Sequence, residues 1–466
     1  MSTVSLSHQA TISQVETRKN ATLVTVGILT VFVLTGLAII NPLVLIGPIT
    51  LIVLGFVFYL SQKISNPKEF ASLALLVFSV FILEAVFRVR EFSDKSVDWQ
   101  VLLKVCSLLA LMGLALLRLD QTLPSITKPT RIMWFVFFIW TCFTGLYAPN
   151  LAYSIFGAFS LVSFYLFLLY VFRSFEETHV ILAIITATFF FCLFSILTYF
   201  ALPEFGRMKE WYGNEQVVGS RLSGIGGNAN TVGRQAALAL LLLALYAKNL
   251  MALNRLIVPA VVIVASAALL LSNSRTSLAL LLIILWFLWF CTEKRKGIFL
   301  LSILAGFILL PFVFLYGESI LTAFSRSGDI SEITTGTGRS YIWAVVIELI
   351  TQRPLFGWGY GSTLFILPEY AGDIRHIAPH AHNMILQILV TSGLIGLVIF
   401  VIAFFIRLFD AYQARNRTVL TMMAFVCLNG LTEASAFAGV ANSATLALLI
   451  AVAIPLRTSP TSHLRN

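Results

Sequence analysis

The chain has 466 residues, of which 59% are hydrophobic and only 11% charged, and its mean hydropathy is +0.92. A soluble globular protein is roughly a quarter charged, so this composition excludes a water-facing globule and calls for a lipid-facing exterior. The net charge of +10 is held in short basic clusters between apolar runs, such as Glu293-Lys294-Arg295-Lys296, a pattern of cytoplasmic loops and not of a nucleic-acid surface.

In chain order, apolar runs of the length that crosses a bilayer occur at 21–40, 43–61, 69–87, 100–118, 132–148, 151–172, 179–201, 231–248, 256–272, 276–292, 297–316, 384–406, 418–435 and 438–456. They predict an all-α, polytopic transmembrane helix bundle of about 12–14 spans, with tight hairpins at 21–40/43–61 and 418–435/438–456. The first run follows Arg18-Lys19 and exceeds the ~7–15 residues of a signal-peptide core, so it reads as a retained helix. Most of the 31 Lys and Arg residues fall on the N-terminal side of the alternating loops, which predicts both termini in the cytoplasm. Cys106, Cys142, Cys192, Cys291 and Cys427 each lie inside an apolar run without a CxxC partner, so neither a disulfide framework nor a zinc site is expected.

Two polar excursions fall on the outer side, 202–230 and the longer 317–383. The second contains an amphipathic segment from Arg339 to Arg353, with Ile342, Val346, Leu349 and Ile350 at helical spacing and Pro354 as its stop. Such a helix is expected to lie along the membrane surface. The chain has no internal repeat and no Gly- or Pro-interrupted spans paired between its halves. Its ionisable groups gather at the outer ends of spans instead of at mid-depth. Both features argue against a transporter or flippase.

No GxxxxGK[ST], GxGxxG or HExxH motif is present, nor a DxD-type pair in the outer loops. An enzyme of this kind takes no nucleotide substrate and is expected to need no metal or other cofactor. Arginines stand instead at helix mouths. Arg221 precedes the glycine-rich turn 223–227 and the helix opening near Thr231, with Arg234 in its first turn. Arg275 lies in the short hairpin Ser272-Asn273-Ser274-Arg275-Thr276-Ser277, where another helix starts. A helix N-terminus favours anions and a guanidinium grips phosphate with a planar fork. Together the two sites suit a diphosphate cradle; singly, each arginine equally suits anchorage to lipid headgroups.

His380-Ala381-His382-Asn383 opens the span at 384, with His376 upstream. One histidine suits the role of a base taking the proton of an attacking hydroxyl; a metal site or a plain capping role are the alternatives. In Arg353-Pro354-Leu355-Phe356-Gly357-Trp358-Gly359-Tyr360-Gly361, Trp358 and Tyr360 suit stacking on sugars, or an aromatic belt at the interface. Two acids lie at outer span ends. Glu84 has Arg88 four residues on as a local partner. Glu433 has no local cation, so an outer arginine is its expected partner.

These pieces resemble the bacterial O-antigen ligase and polymerase superfamily. The resemblance rests on Thr337-Gly338-Arg339-Ser340-Tyr341-Ile342-Trp343, Arg353 to Gly359, His380-Ala381-His382-Asn383 and Gly393-Leu394-Ile395-Gly396-Leu397. It rests more loosely on Arg221-Leu222-Ser223-Gly224, Asn228-Ala229-Asn230 and Ser274-Arg275-Thr276. It covers about residues 205–440, dividing the chain into N-terminal helices 1–204, a core 205–440 including loop 317–383, and a last helix with cytoplasmic tail 441–466. The resemblance implies metal-independent glycosyl transfer on the periplasmic face of the bacterial inner membrane. The donor would be a glycan on undecaprenyl diphosphate. It implies that Arg221, Arg275 and, more weakly, Arg339 bind the diphosphate and that His382 is the base. Trp358, Tyr360, His380, Asn383 and Glu433 are candidate glycan or acceptor contacts. Polymerisation of repeat units into exopolysaccharide or O-antigen is the first expectation, with a chain-length regulator as a candidate partner. Transfer to lipid A-core, or to protein, is the alternative.

Overall fold

A computed structural model describes residues 66–87, 97–212, 215–290, 339–374, 378–433 and 435–456. The predicted spans 21–40, 43–61 and 297–316, the basic cluster 293–296, the start of the long loop, Arg88 and His376 lie outside the described residues.

The described chain runs α1 (Pro67–Glu84), α2 (Trp99–Leu117), α3 (Leu119–Ile126), α4 (Pro129–Gly145), α5 (Leu151–Ser174) and α6 (Glu177–Ala201). A hairpin of β1 (Arg207–Tyr212) and β2 (Glu215–Leu222) follows, then α7 (Ala229–Leu253), α8 (Ile257–Ser272) and α9 (Arg275–Phe290). Beyond the gap lie α10 (Arg339–Gln352), α11 (Met384–Gln413), α12 (Arg417–Thr432) and α13 (Ser443–Ala453). Five of these helices, α2, α5, α6, α7 and α11, are long and apolar enough to cross a membrane. The protein is an all-α polytopic membrane protein, as the apolar runs predict. The antiparallel hairpin is an addition that the sequence reading of 202–230 did not contain.

The helix starts follow ordinary capping chemistry. Asn66, Asp98, Asn150, Asn228, Asn383, Asn416 and Asn442 each accept a backbone N–H of the first turn of the helix they precede, satisfying donors the helix itself cannot pair. Helices α5 and α6 are apolar all round and buried over most of their length, as such helices must be in a bundle interior. Helix α2 instead exposes Leu102, Leu109, Leu116 and Leu117, an apolar face suited to lipid.

Three local findings depart from simple spanning helices. The run 438–456 is not a full span. Helix α13 has 11 residues, every one of them buried, and at about 1.5 Å per residue it covers only about half a ~30 Å hydrocarbon core. Its C-terminal carbonyls end inside protein and are taken by two buried arginines. Arg131 Nη2 donates to Ala453 O at 2.7 Å, and Arg407 donates to Ala451 O and Ile454 O at 2.8 and 2.6 Å.

Helix α11 breaks at Gly393 (φ 66°, ψ −173°). The two helix bonds lost there would join the N–H groups of Leu394 and Ile395 to the carbonyls of Val390 and Thr391. The segment after α10 replaces both. Leu394 N and Ile395 N donate to Pro354 O and Leu355 O (2.8 and 3.3 Å), while Trp358 N and Gly359 N donate to Val390 O and Thr391 O (2.8 and 2.9 Å). A span can lose helical bonds only where protein resatisfies them. A Cβ at Gly393 would stand 2.1 Å from Leu355 O, so the insertion demands glycine there.

The amphipathic segment is helical as expected, but its apolar face does not rest on lipid. Ile342, Val345, Val346 and Leu349 pack with Ile366, Leu367, Ile374, Ala378, Ala381 and Val390 in a small core of the long loop's own. A covered apolar face leaves little to insert into a membrane surface.

Candidate functional site: a shared carboxylate at the rim

Five elements meet at one end of the bundle, the rim. Arg221 is the last residue but one of β2 and Asn230 the second of α7. Helix α10 begins with Arg339, the strip His380–Asn383 leads into α11, and Glu433 caps the end of α12. Each is fixed locally. The hairpin is tied to α6 by Tyr199 Oη donating to Ser220 O (2.9 Å). Gly233 lets α7 press against the α8–α9 turn, where a Cβ would come within 2.5 Å of Ser274 Cβ. The histidine strip is pinned on both sides of Ala381. Gln387 Oε1 accepts its N–H (3.0 Å) and Trp343 Nε1 donates to its carbonyl (3.0 Å).

Glu433 is the hub. Its Oε1 accepts from Arg339 Nη2 at 2.9 Å and from Asn230 Nδ2 at 3.2 Å. Its Oε2 faces His382 Nδ1 at 3.2 Å and His380 Nε2 at 3.8 Å. Arg221 joins through Asn230, donating to its Oδ1 at 3.1 Å, and also donates from Nε to Ser272 O at 3.2 Å. Arg275 stands three residues beyond that carbonyl, at the first position of α9. The acid is nearly closed off, 7% exposed, while Arg339, His380 and His382 keep 17–22% of their side chains open.

Burial alone would raise the Glu433 carboxyl, but the His380 and His382 rings beside it outweigh burial and hold it well below the ordinary 4.5. It is therefore a carboxylate at neutral pH. His380 is pushed down by burial, with the His382 and Arg234 charges adding to that against the pull of Glu433, so it is neutral at pH 7. His382 holds φ at 47°, a left-handed conformation that costs energy outside glycine and recurs at functional sites. With Nδ1 on the carboxylate, its Nε2 is left for another partner, the arrangement of an oriented base.

The donor atoms of His380, His382 and Glu433 lie within 4.8 Å of one another, a spacing that a metal ion could use. The Arg339 guanidinium already bonds the same carboxylate, however, and a dication there would meet its charge at close range. The set suits proton handling better than metal binding.

The structure thus brings Arg221, Arg339, His380, His382 and Glu433 into one connected cluster, with Arg275 on the adjoining turn. Glu433 pairs with an arginine distant in sequence, Arg339. The structure gives other expected site residues different roles. Tyr360 is 1% exposed and donates to Gly439 O at 2.6 Å, so it is a packing residue and does not face a glycan. Trp358 donates from Nε1 to Leu349 O (2.9 Å) under the Arg353 guanidinium, where it serves the loop core. Asn383 is the N-cap of α11, accepting from Ile385 N and Leu386 N. The partner expected for Glu84, Arg88, lies outside the described residues. Glu84 bonds Arg234 at 2.9 Å, with Gln235 and Ser443 as further partners. Sequence reading missed Gln387 and Trp343 as supports; a lone glutamine in an apolar span and an indole N–H needing a partner were the available signals.

An all-α membrane bundle with arginines, histidines and a buried carboxylate gathered at one rim defines a class of polytopic membrane proteins, and comparison with known proteins places it. Residues 259–401 match the sequence family described as "O-Antigen ligase". A 112-residue stretch is 31% identical to a Rickettsia felis protein described as "Putative polysaccharide ligase", covering 22% of this chain and 26% of that one. Similarly described proteins of Rickettsia conorii and Rickettsia prowazekii are 30% identical over 125 residues (23% of this chain, 28% of the relative) and 38% identical over 69 residues (13% and 17%). The likeness to that family lies in residues 259–401, about a third of the chain. The chain spans about a quarter of the length of the first two curated relatives and less of the third.

Proposed function

We propose that this protein transfers a glycan from undecaprenyl diphosphate to a hydroxyl acceptor on the periplasmic side of the inner membrane, without a metal. The observation that carries this reading is the single hydrogen-bonded cluster joining two arginines to the His382–Glu433 pair. In the proposed step His382 Nε2 takes the proton of the acceptor hydroxyl as its oxygen bonds the anomeric carbon. Glu433 orients the ring through Nδ1 and stabilises the imidazolium that forms. The bond from the anomeric carbon to the diphosphate oxygen breaks, and the lipid diphosphate leaves with the electron pair. Arg221, Arg275 and Arg339 stabilise the charge it gains. Direct displacement inverts the anomeric centre.

Two acceptors fit this chemistry. A growing glycan makes the protein a polymerase, the reading that the Gly338-Arg339 to Trp343 and Arg353 to Gly361 pattern favours. Lipid A-core makes it a ligase, which the likeness to the O-antigen ligase family and to the rickettsial polysaccharide ligases favours. A deletion strain decides between them. Single repeat units on lipid A identify a polymerase, and long glycan retained on undecaprenyl diphosphate identifies a ligase. An unchanged glycan profile refutes both.

A further inference from the structure

We propose that Glu433 is an internal stand-in for the donor's diphosphate and that Asn230 is the positioning residue that makes it so. In the free protein the two side chains hold Arg339 and Arg221; the arriving diphosphate takes over both arginines and leaves the carboxylate to His382. This rests on the diphosphate reading above.

The division of labour within the carboxylate motivates it. Oε1 meets the cation side of the cluster, Arg339 directly and Arg221 through Asn230, while Oε2 meets the histidines. A carboxylate and a phosphate offer a guanidinium the same pair of acceptor oxygens. Arg221 is buried, and a buried cation without a counter-anion is costly. A resident anion therefore keeps the cradle formed before the donor arrives. It is exchangeable because Arg339 and the histidines reach the surface, whereas the neighbouring Glu84–Arg234 pair is closed on both sides.

Asn230 suits the connection chemically. It must accept from Arg221 at one end and donate to Glu433 at the other, which an amide does and an aspartate or alanine cannot. Its backbone N–H is fixed by Asn228 Oδ1 at 2.8 Å, and the close contact of Gly233 with Ser274 prevents α7 from sliding. With the backbone held, the amide stays on Glu433 through Nδ2 as the arginine turns to the diphosphate, and the Arg221–Asn230 bond breaks.

The test uses the full chain in detergent micelles, with inorganic diphosphate as the probe and calorimetry as the readout. Glu433→Gln is expected to bind diphosphate about tenfold more tightly than wild type, within the ordinary span of coupling between ligands, while its glycan transfer falls. A merely structural Glu433 predicts the opposite, a loosened rim and weaker binding. In an Asn230→Ala background the same Glu433→Gln change should gain clearly less, because the route to Arg221 is already cut. If Glu433→Gln does not fold, Glu433→Asp, drawn back from Arg339, should tighten binding by a smaller factor. Equal or weaker binding by the folded acid variants overturns the competition, and a full gain in the Asn230→Ala background overturns the role of Asn230. An Arg221→Gln/Arg339→Gln variant separates the two readings. If it binds diphosphate like wild type, the diphosphate reading falls and takes this one with it; if it loses binding while the acid variants stay unchanged, only this inference falls.

Discussion

Glu84 and Glu433 lie at the same end of the bundle, each 7% exposed and each with an arginine nitrogen at 2.9 Å. They differ in what surrounds the pair. Arg234 is as buried as the acid it holds and also donates to Ser443 Oγ, so that pair is closed and has nothing to exchange. The partners of Glu433 are partly open, and two of them are histidines. A buried ion pair is weak evidence for stability by its mere presence, yet breaking one by removing a partner is severe. The contrast teaches that burial of the acid does not distinguish a structural pair from a working one. On the proposed function, accessibility of its partners does.

The widest separation between the two sites is expected in turnover. His382→Ala removes the proposed base, and glycan transfer measured in a complemented deletion strain should fall by about 10²–10⁴-fold; full transfer would end the assignment. Glu84→Ala tests the other side. It strands Arg234 as an uncompensated buried charge and is expected to cost about 3–5 kcal/mol of stability. That should read as a large drop in the unfolding temperature in detergent, with little change in turnover per folded molecule. If Glu84→Ala instead lowers turnover with an unchanged unfolding temperature, the two acids are not different in kind. A smaller effect is expected at Gly393, whose break positions the histidine-bearing end of α11. Gly393→Ala meets Leu355 O and a left-handed backbone, and should cost roughly 2–3 kcal/mol, the upper part of the range for such strain. Urea or thermal unfolding in detergent checks it.

Much of this was legible along the chain, for a physical reason. Lipid demands long apolar windows, so the helices of the bundle announce themselves, and charges stranded at helix mouths mark the rim. Arg221, Arg339, His382 and the unpaired acid Glu433 stand out for that reason. What could not be read depends on which helices touch. The hub role of Glu433 exists only because α7 and α12 meet at their rim ends. The break at Gly393 looks like any helical glycine until the segment 354–359 is laid beside it. Trp358 and Tyr360 look like ligand platforms because an aromatic ring with a polar tip fits either a sugar or a distant backbone carbonyl, and only the fold reveals Leu349 O and Gly439 O as the partners. The half-length of α13 was the exception that could have been read. Asn442 before Ser443 is a cap signal, and Pro455 is a stop.

The smallest expected effect is the most specific to Glu433. Its folded carboxyl is held well below the ordinary 4.5, so ionisation of this group favours the folded state. A depressed acid contributes its full share above the unfolded value and loses it as pH falls through the range between the unfolded and folded values. The unfolding temperature of wild type should therefore exceed that of Glu433→Gln by a constant margin from neutral pH down to about 5. Below the ordinary 4.5 the margin should shrink steadily, because protonation in the unfolded chain then competes with the ion pair. A margin already gone at pH 6 would mean that Glu433 is not the ionised partner of Arg339, and the distinction between the two acids would have to rest on accessibility alone.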